Sequence, residues 1–168
     1  DACRARVRAQ SDAAAQCDGG RLAALSVAGL STNWRRPTVS GHGPACAHGH
    51  DRETVLGALT REAASALCLR DGHATGYAFR RPFGRGSAIG PVIADDEETA
   101  IALVDSLVSS RAGEFLRIDV PIGADGLIRL LEGSGLLPAG DVTTMIRGRR
   151  KRPSGRAKAF ALVNQAIG

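Results

Sequence analysis

The amino-acid sequence predicts an α+β fold, arranged as α/β layers around a central mixed sheet. After residue 50, segments with strand character alternate with segments of helical periodicity. One of them, residues 87–110, runs from a β-branched apolar stretch directly into an amphipathic helix. The chain has 168 residues, of which 43% are hydrophobic, and this suffices for one domain with a core and additional segments. Such an order of elements is typical of a layered domain.

The strand and helix of residues 87–110 form the most clearly specified unit. Ile89, Val92 and Ile93 are β-branched and apolar, which suits a buried strand. Four acidic residues, 95–98, follow at the cap and in the first turn, where the helix dipole favours negative charge. Residues 101–108 then place apolar side chains at helical spacing. We therefore expect a buried strand, an acidic cap and an amphipathic helix.

The segment before this unit predicts a helix and a hairpin. Residues 51–67 carry an apolar stripe at helical spacing, with Asp51 as a suitable N-cap. Residues 67–70 and 74–80 have strand character on either side of the turn sequence Asp-Gly at 71–72. A β-hairpin is therefore expected there.

The segment after this unit predicts a strand, a helix and two further strands. Residues 115–120 alternate in polarity, and Pro121 ends the strand. Residues 123–135 read as a short helix that ends at a glycine. Residues 141–147 and part of 158–168 have the composition of strands.

The net charge of +5 is unevenly distributed. Residues 1–50 carry +3, residues 51–146 carry −5, and residues 147–158 carry +7. An acidic folded part with one basic run differs from the broad basic face of a nucleic-acid-binding protein. The basic run offers electrostatic docking, but aromatic residues for base stacking do not interleave it. A solvated loop is the favoured interpretation, and nucleic acid is not the expected partner.

Residues 1–50 have a different composition from the remainder. We interpret them as an irregular segment, a remnant of a preceding domain, with out-of-frame translation as the alternative. Cys46, His48 and His50 place three metal-ligand types within five residues. A fourth ligand and a second ligand pair are not evident in the sequence, so we expect no metal site.

The cysteines and the apolar runs bear on the compartment. Cys3, Cys17, Cys46 and Cys68 form no CxxC pair, and residues 1–10 do not resemble a secretory signal. Free thiols in a reducing cytoplasm are therefore expected. The sequence contains no run of about 18 apolar residues, so no membrane span is expected. Because the chain starts at Asp1 without Met, we expect it to be a fragment or a processed product.

Several strings after residue 50 resemble one family. They are DGHATGYAFRR, IGPVIADDEETAIALVDSL, LRIDVP, LIRLLEGSGLLP, TMIRG and AFALVNQAIG. Residues 51–168 resemble the GNAT (Gcn5-related N-acetyltransferase) superfamily, in particular the C-terminal half of bacterial proteins with two acetyltransferase-like units in tandem. The resemblance implies a central mixed, mostly antiparallel sheet flanked by helices.

The resemblance also implies a cofactor position. In the family, acetyl-CoA binds at the end of the central strand, which corresponds here to Val92, Ile93 and Ala94. A loop of the form R/Q-x-x-G-x-G/A wraps the pyrophosphate at a helix N-terminus. Residues 95–100 hold this position with four carboxylates, no Gly and no Arg. Four negative charges make a poor phosphate cradle, so acetyl-CoA binding by this chain is doubtful from the sequence.

The family's general acid has no counterpart. Many members carry a Tyr in a string like LYEKxGF, and Leu131 stands at that position here. The chain's single tyrosine, Tyr77, lies on the hairpin, where packing is the expected role. A base from Glu53, Glu62 or His73 stays open, since nothing in the sequence singles one out.

These residues lead to three hypotheses. The first is a catalytically degenerate GNAT-like domain that packs against an N-terminal GNAT domain or against itself as a homodimer. The second is an active acetyltransferase whose strand N–H groups polarise the thioester, and the third is a binding module that uses residues 147–158. An open gap between the strand ending at Ala94 and strand 115–120 would indicate a cofactor cleft. A gap filled by side chains would indicate a structural lobe.

Overall fold

The computed structural model describes residues 2–8, 22–23, 53–70, 73–109, 111, 113–143, 145 and 155–166. Within these residues the helices are α1 (Glu53–Glu62), α2 (Glu97–Val108) and α3 (Asp125–Gly133). The strands are β1 (Ala2–Arg8), β2 (Leu22–Ala23), β3 (Ala64–Arg70), β4 (His73–Phe83), β5 (Gly86–Ala94), β6 (Phe115–Pro121), β7 (Pro138–Val142) and β8 (Lys158–Ala161).

The strands form one mixed sheet in the described part of the chain. Its order is β2-β3-β4-β5-β6-β1-β7, and β8 pairs with β5 off this path. The β5–β6 pairing is parallel, whereas the other pairings are antiparallel. The fold class expected from the sequence, a mixed and mostly antiparallel sheet flanked by helices, is confirmed.

The order of elements after residue 50 is as the sequence predicts, with two shifted boundaries. The predicted hairpin is present, with Arg70 opposite His73. The predicted helix 51–67 ends at Glu62, because the following residues pair with β4 as a strand and tertiary pairing overrides a short helical pattern. The strand predicted at 141–147 lies at Pro138–Val142, where it pairs with β1. The sequence pattern alone does not reveal that partner.

Two strands come from the segment predicted to be irregular. β1 lies between β6 and β7, with Ala5 opposite Ile118, and β2 pairs with β3. Both pairings join residues far apart in sequence, which local patterns do not report. Most of residues 1–50 lies outside the described residues, so the proposed domain boundary near residue 50 stays a prediction.

Hydrophobic side chains form two clusters, and successive residues of β4 belong alternately to one cluster and to the other. Ala78 joins the cluster beneath α2 and α3, whose buried members include Leu103, Leu127 and Leu131. Its neighbour Tyr77 joins the cluster that contains α1. Tyr77 packs edge-on against Phe79, with ring centroids 5.9 Å apart. The packing role predicted for Tyr77 is confirmed.

The parallel contact between β5 and β6 requires a glycine. A Cβ built at Gly86 would overlap the Phe115 carbonyl. We expect Gly86→Ala to lower the free energy of unfolding by about 1–3 kcal/mol through overpacking. The matched control is Gly57→Ala in α1, where a Cβ meets nothing within 4 Å and helix propensity favours Ala by about 0.5–1 kcal/mol. Urea unfolding of both variants checks this, and equal effects would contradict it.

A second expectation concerns pH. Burial raises the pKa of the Asp105 carboxyl on α2 above its ordinary value. The folded state then favours the protonated form, so the stabilising contribution of Asp105 is complete below about pH 4 and is lost as the pH rises through the raised pKa. We expect Asp105→Asn to increase the free energy of unfolding at pH 7 and to leave it unchanged near pH 3.5. Urea curves at both pH values test this; a gain independent of pH would refute it.

Candidate functional site

The two parallel strands β5 and β6 diverge along their length. They pair only over residues 87–89 of β5 and 116–118 of β6. From Val92 onward β5 pairs with β8 instead. Leu162, the residue after β8, contacts β6 instead, because its N–H donates to the Asp119 carbonyl at 2.9 Å. β8 and the residue after it therefore lie between the diverging halves of β5 and β6.

This insertion places the predicted cofactor residues within the sheet. Val92, Ile93 and Ala94 are fully buried. Residues 76–78 of β4 pair with them on one side, and residues 158–161 pair with them on the other. Their main chain thus has strand neighbours on both edges. Whether they bind a cofactor is not decided by this placement and stays a prediction.

Side chains from the inserted segment fill both faces of the gap. Phe160 and Ala161 are buried in the cluster beneath α2 and α3. Ala157 and Val163 are buried in the cluster that contains α1. Of the two arrangements weighed from the sequence, the described residues therefore show the filled gap.

The acidic turn after β5 forms the predicted helix cap. Asp96 is the N-cap of α2 in extended conformation, and its Oδ1 accepts a hydrogen bond from the Thr99 N–H at 2.8 Å. Glu97 and Glu98 occupy the first turn, as expected from the helix dipole. The Asp95 N–H donates to the Thr75 carbonyl of β4 at 2.9 Å. This turn is therefore tied to the sheet as well as to the helix.

Glu97 has a second role that sequence analysis missed. Its Oε1 accepts hydrogen bonds from the N–H groups of Gly126 at 2.6 Å and Leu127 at 3.0 Å, in the first turn of α3. The N-cap of α3 is Ala124, which offers no side-chain cap. A Cβ on Gly126 would lie 2.9 Å from the Glu97 carboxylate. The absence of a capping side chain at Ala124 was the one signal that α3 needed an outside acceptor.

These contacts define the electrostatics of the junction. The N-termini of α2 and α3 each hold a carboxylate of the chain itself, from Asp96 and Glu97. A helix N-terminus attracts anions through its unpaired N–H groups and its dipole. Here the N–H groups of Thr99, Gly126 and Leu127 bond internal carboxylates, and Glu98 adds another negative charge beside them. A diphosphate at this place would meet like charge and donors that are partly occupied.

The position of the family's general acid contains only packing side chains. Leu131 is 2% exposed and Leu136 is 1% exposed, both in the cluster beneath α2 and α3. The Leu136 N–H donates to the Leu131 carbonyl at 2.8 Å, which closes the end of α3. Leu131 offers no proton to a leaving thiolate. Both residues are part of the hydrophobic core.

The three candidate bases are spread over two elements, with Glu53 and Glu62 at opposite ends of α1 and His73 at the start of β4. Glu62 is exposed at the end of α1. Glu53 and His73 begin α1 and β4, and their side chains lie outside the described residues. The described structure therefore singles out none of them as a base.

Two other sequence predictions fall outside the described residues. These are the possible ligands Cys46, His48 and His50, and the basic residues 147–152. Where residues are described, no three His, Cys, Asp or Glu side chains form a group that could hold a metal ion. None of the described helices has the length and apolar character needed to cross a bilayer.

Comparison with known proteins agrees with the fold. The described architecture, a mixed sheet with a β-strand leading into a capped helix beside a diverging parallel neighbour, is that of a layered acyltransferase-like domain. A family model described as an acetyltransferase (GNAT) domain matches residues 45–161, and the chain belongs to this family. The family performs acyl transfer and generally uses acetyl-CoA. Searches of curated proteins and of solved structures find no match to the chain.

The role of Glu97 can be tested by removing its charge. We expect Glu97→Gln to lower the free energy of unfolding by about 1 kcal/mol, because hydrogen bonds to a charged acceptor are stronger than those to an amide. The matched control is Glu98→Gln, which removes the neighbouring first-turn charge on an exposed side chain. This change should lower the free energy of unfolding by only about a few tenths of a kcal/mol. Chemical denaturation measures both changes. Equal losses would show that Glu97 acts through the dipole of α2 alone.

Proposed function

We propose that this GNAT domain is a structural lobe that does not bind acetyl-CoA or transfer an acetyl group by itself. In the intact protein it would pair with another GNAT domain that carries the acetyl-CoA site. The observation that carries the proposal is the position of β8 along residues 92–94. These are the residues whose counterparts in the family lie against acetyl-CoA.

Main-chain pairing explains why β8 matters. A thioester carbonyl or a pantetheine amide needs strand N–H and C=O groups that are available to it. In β5 the edge beyond Val92 faces β8, with Val92 opposite Ala161 and Ala94 opposite Lys158. A cofactor on this edge would have to replace a β-strand. It would also have to displace the buried side chains of Phe160 and Val163.

The acidic turn and the missing acid support the same proposal. Asp96 and Glu97 bond the helix N-termini where a diphosphate would otherwise find donors. Leu131 provides no proton donor where many relatives carry a Tyr. A fold can be retained while the chemistry of its site is lost. Each of these features stabilises the domain, and none of them favours catalysis.

The proposed partner is a second GNAT domain, in tandem or as a second copy of this chain. Support comes from the resemblance to tandem proteins and from β7. In the described sheet β7 is an edge strand, mostly exposed. Leu137 and Met145, which flank it in sequence, are 65% and 91% exposed. An exposed strand with apolar neighbours is suited to pairing with another chain or domain. We propose the cytoplasm as the compartment, in line with the free thiols that the sequence predicts.

Calorimetric titration with acetyl-CoA tests the proposed function. We expect no heat of binding up to about 1 mM acetyl-CoA, because such a site would have a binding free energy weaker than about −4 kcal/mol. Thermal unfolding should show no shift with CoA, since only a ligand that binds the folded state stabilises it. An active N-acetyltransferase under the same conditions is the control. Micromolar binding to this chain would overturn the proposal.

A further inference from the structure

The segment that fills the gap between β5 and β6 is anchored at defined points. Residues 157–163, here termed the strap, comprise β8 and its flanking residues. The strap pairs with β5, and its Leu162 N–H donates to the Asp119 carbonyl of β6. Arg81 of β4 donates from Nη2 to the Val163 carbonyl at 3.1 Å. Three strands of the sheet thus hold one short segment.

Asp119 and Arg81, which form the contacts with Leu162 and Val163, belong to one cluster of residues. The guanidinium groups of Arg81 and Arg117 lie over the Phe83 ring, 5.4 Å and 5.0 Å from its centroid. Arg117 also binds the Asp119 carboxylate through two hydrogen bonds, of 2.9 Å and 3.2 Å. The Asp119 side chain is 6% exposed. Stacking and ion pairing therefore fix the positions of Arg81 and Asp119, which bond the end of the strap.

A glycine makes room for the strap. Gly90 of β5 has a φ of +142°, and a Cβ at this position would overlap the Leu162 carbonyl. Closure of the strap therefore requires a residue without a side chain at Gly90. Gly84, in the β4–β5 turn, also has a positive φ of 58°, but a Cβ there meets nothing within 4 Å. The two glycines share a positive φ and differ in whether a side chain would meet the strap.

The remaining contacts of the site do not depend on the strap. Without it, β5 would keep its pairing with β4 and its parallel pairing with β6 over residues 87–89. Asp96 bonds the Thr99 N–H of α2, and Glu97 bonds the first turn of α3, so both caps bond elements other than the strap. An opening confined to the strap would therefore expose one edge of residues 92–94. Local openings of this kind are a general property of folded domains.

We infer that the strap is an intramolecular competitor for the cleft between β5 and β6. In the closed state it occupies the main-chain edge of residues 92–94. In the open state this edge is available to an acyl-thioester ligand with amide groups along its chain. The inference rests on the proposed function and deepens it, because occlusion by the strap is then what suppresses binding. The apparent affinity falls in proportion to the fraction of molecules in the open state.

Two variants loosen the strap in the full chain. Arg81→Gln removes the charged donor to the Val163 carbonyl, and its control is Arg85→Gln at an exposed position on the adjoining turn. Gly90→Ala pushes on the Leu162 carbonyl, and its control is Gly84→Ala. Hydrogen exchange of the amides at 159–162 reports opening, with those of Tyr77 and Phe79 as the reference. We expect about tenfold faster exchange of the strap amides in each loosened variant, with the reference unchanged.

Ligand binding is measured on the same proteins with two probes. S-acetylpantetheine lacks the diphosphate, so it avoids repulsion by the acidic turn, whereas acetyl-CoA includes it. We expect the affinity for S-acetylpantetheine to rise by the same factor as strap opening, and acetyl-CoA to gain less. Neither control variant should show a gain.

The outcomes separate the inference from the proposed function. If the strap amides exchange only when the amides of Tyr77 and Phe79 also exchange, the inference is overturned. The strap would then open only when the sheet itself opens. Faster strap exchange without any gain for either probe would also overturn it and would leave the proposed function standing. Micromolar binding of acetyl-CoA by the unaltered chain, with strap exchange unchanged, would overturn both.

Discussion

The divided pairing of β5 is the constraint on which the rest of the structure depends. Its first half pairs in parallel with β6, and its second half pairs with β8. Because β8 lies between the diverging strands, the described sheet has no gap between the two hydrophobic clusters on its faces. Side chains such as Phe160 and Val163 complete these clusters. The same insertion covers the main-chain edge of residues 92–94. The completed core and the covered edge thus arise from one arrangement.

The charges beside β5 reinforce this arrangement. Asp96 caps α2, and Glu97 reaches across to the N-terminus of α3, whose own cap position is Ala124. Helix N-termini can bind an external anion, but here the N–H groups of Thr99, Gly126 and Leu127 bond internal carboxylates. This junction therefore joins two helices and the sheet.

Local patterns predicted the elements whose signals are contained within a few residues. The acidic cap and the apolar spacing of α2, the alternation of β6 and the β3–β4 hairpin are all present. Boundaries set by strand pairing were displaced. α1 stops at Glu62 because β3 pairs with β4, and β7 begins at Pro138 because β1 lies beside it. Strand pairing outweighs local propensity in both places.

The sequence by itself determined the family, the layered fold, the acidic character of the turn at residues 95–98 and the absence of a proton donor at Leu131. Each of these is a property of side-chain identity or short-range periodicity. Only the tertiary structure decided that Glu97 caps α3, that Gly90 faces the Leu162 carbonyl, and that β8 lies against β5. These contacts join residues 29 to 72 positions apart. Main-chain pairing at such separations depends on geometry that no local pattern encodes.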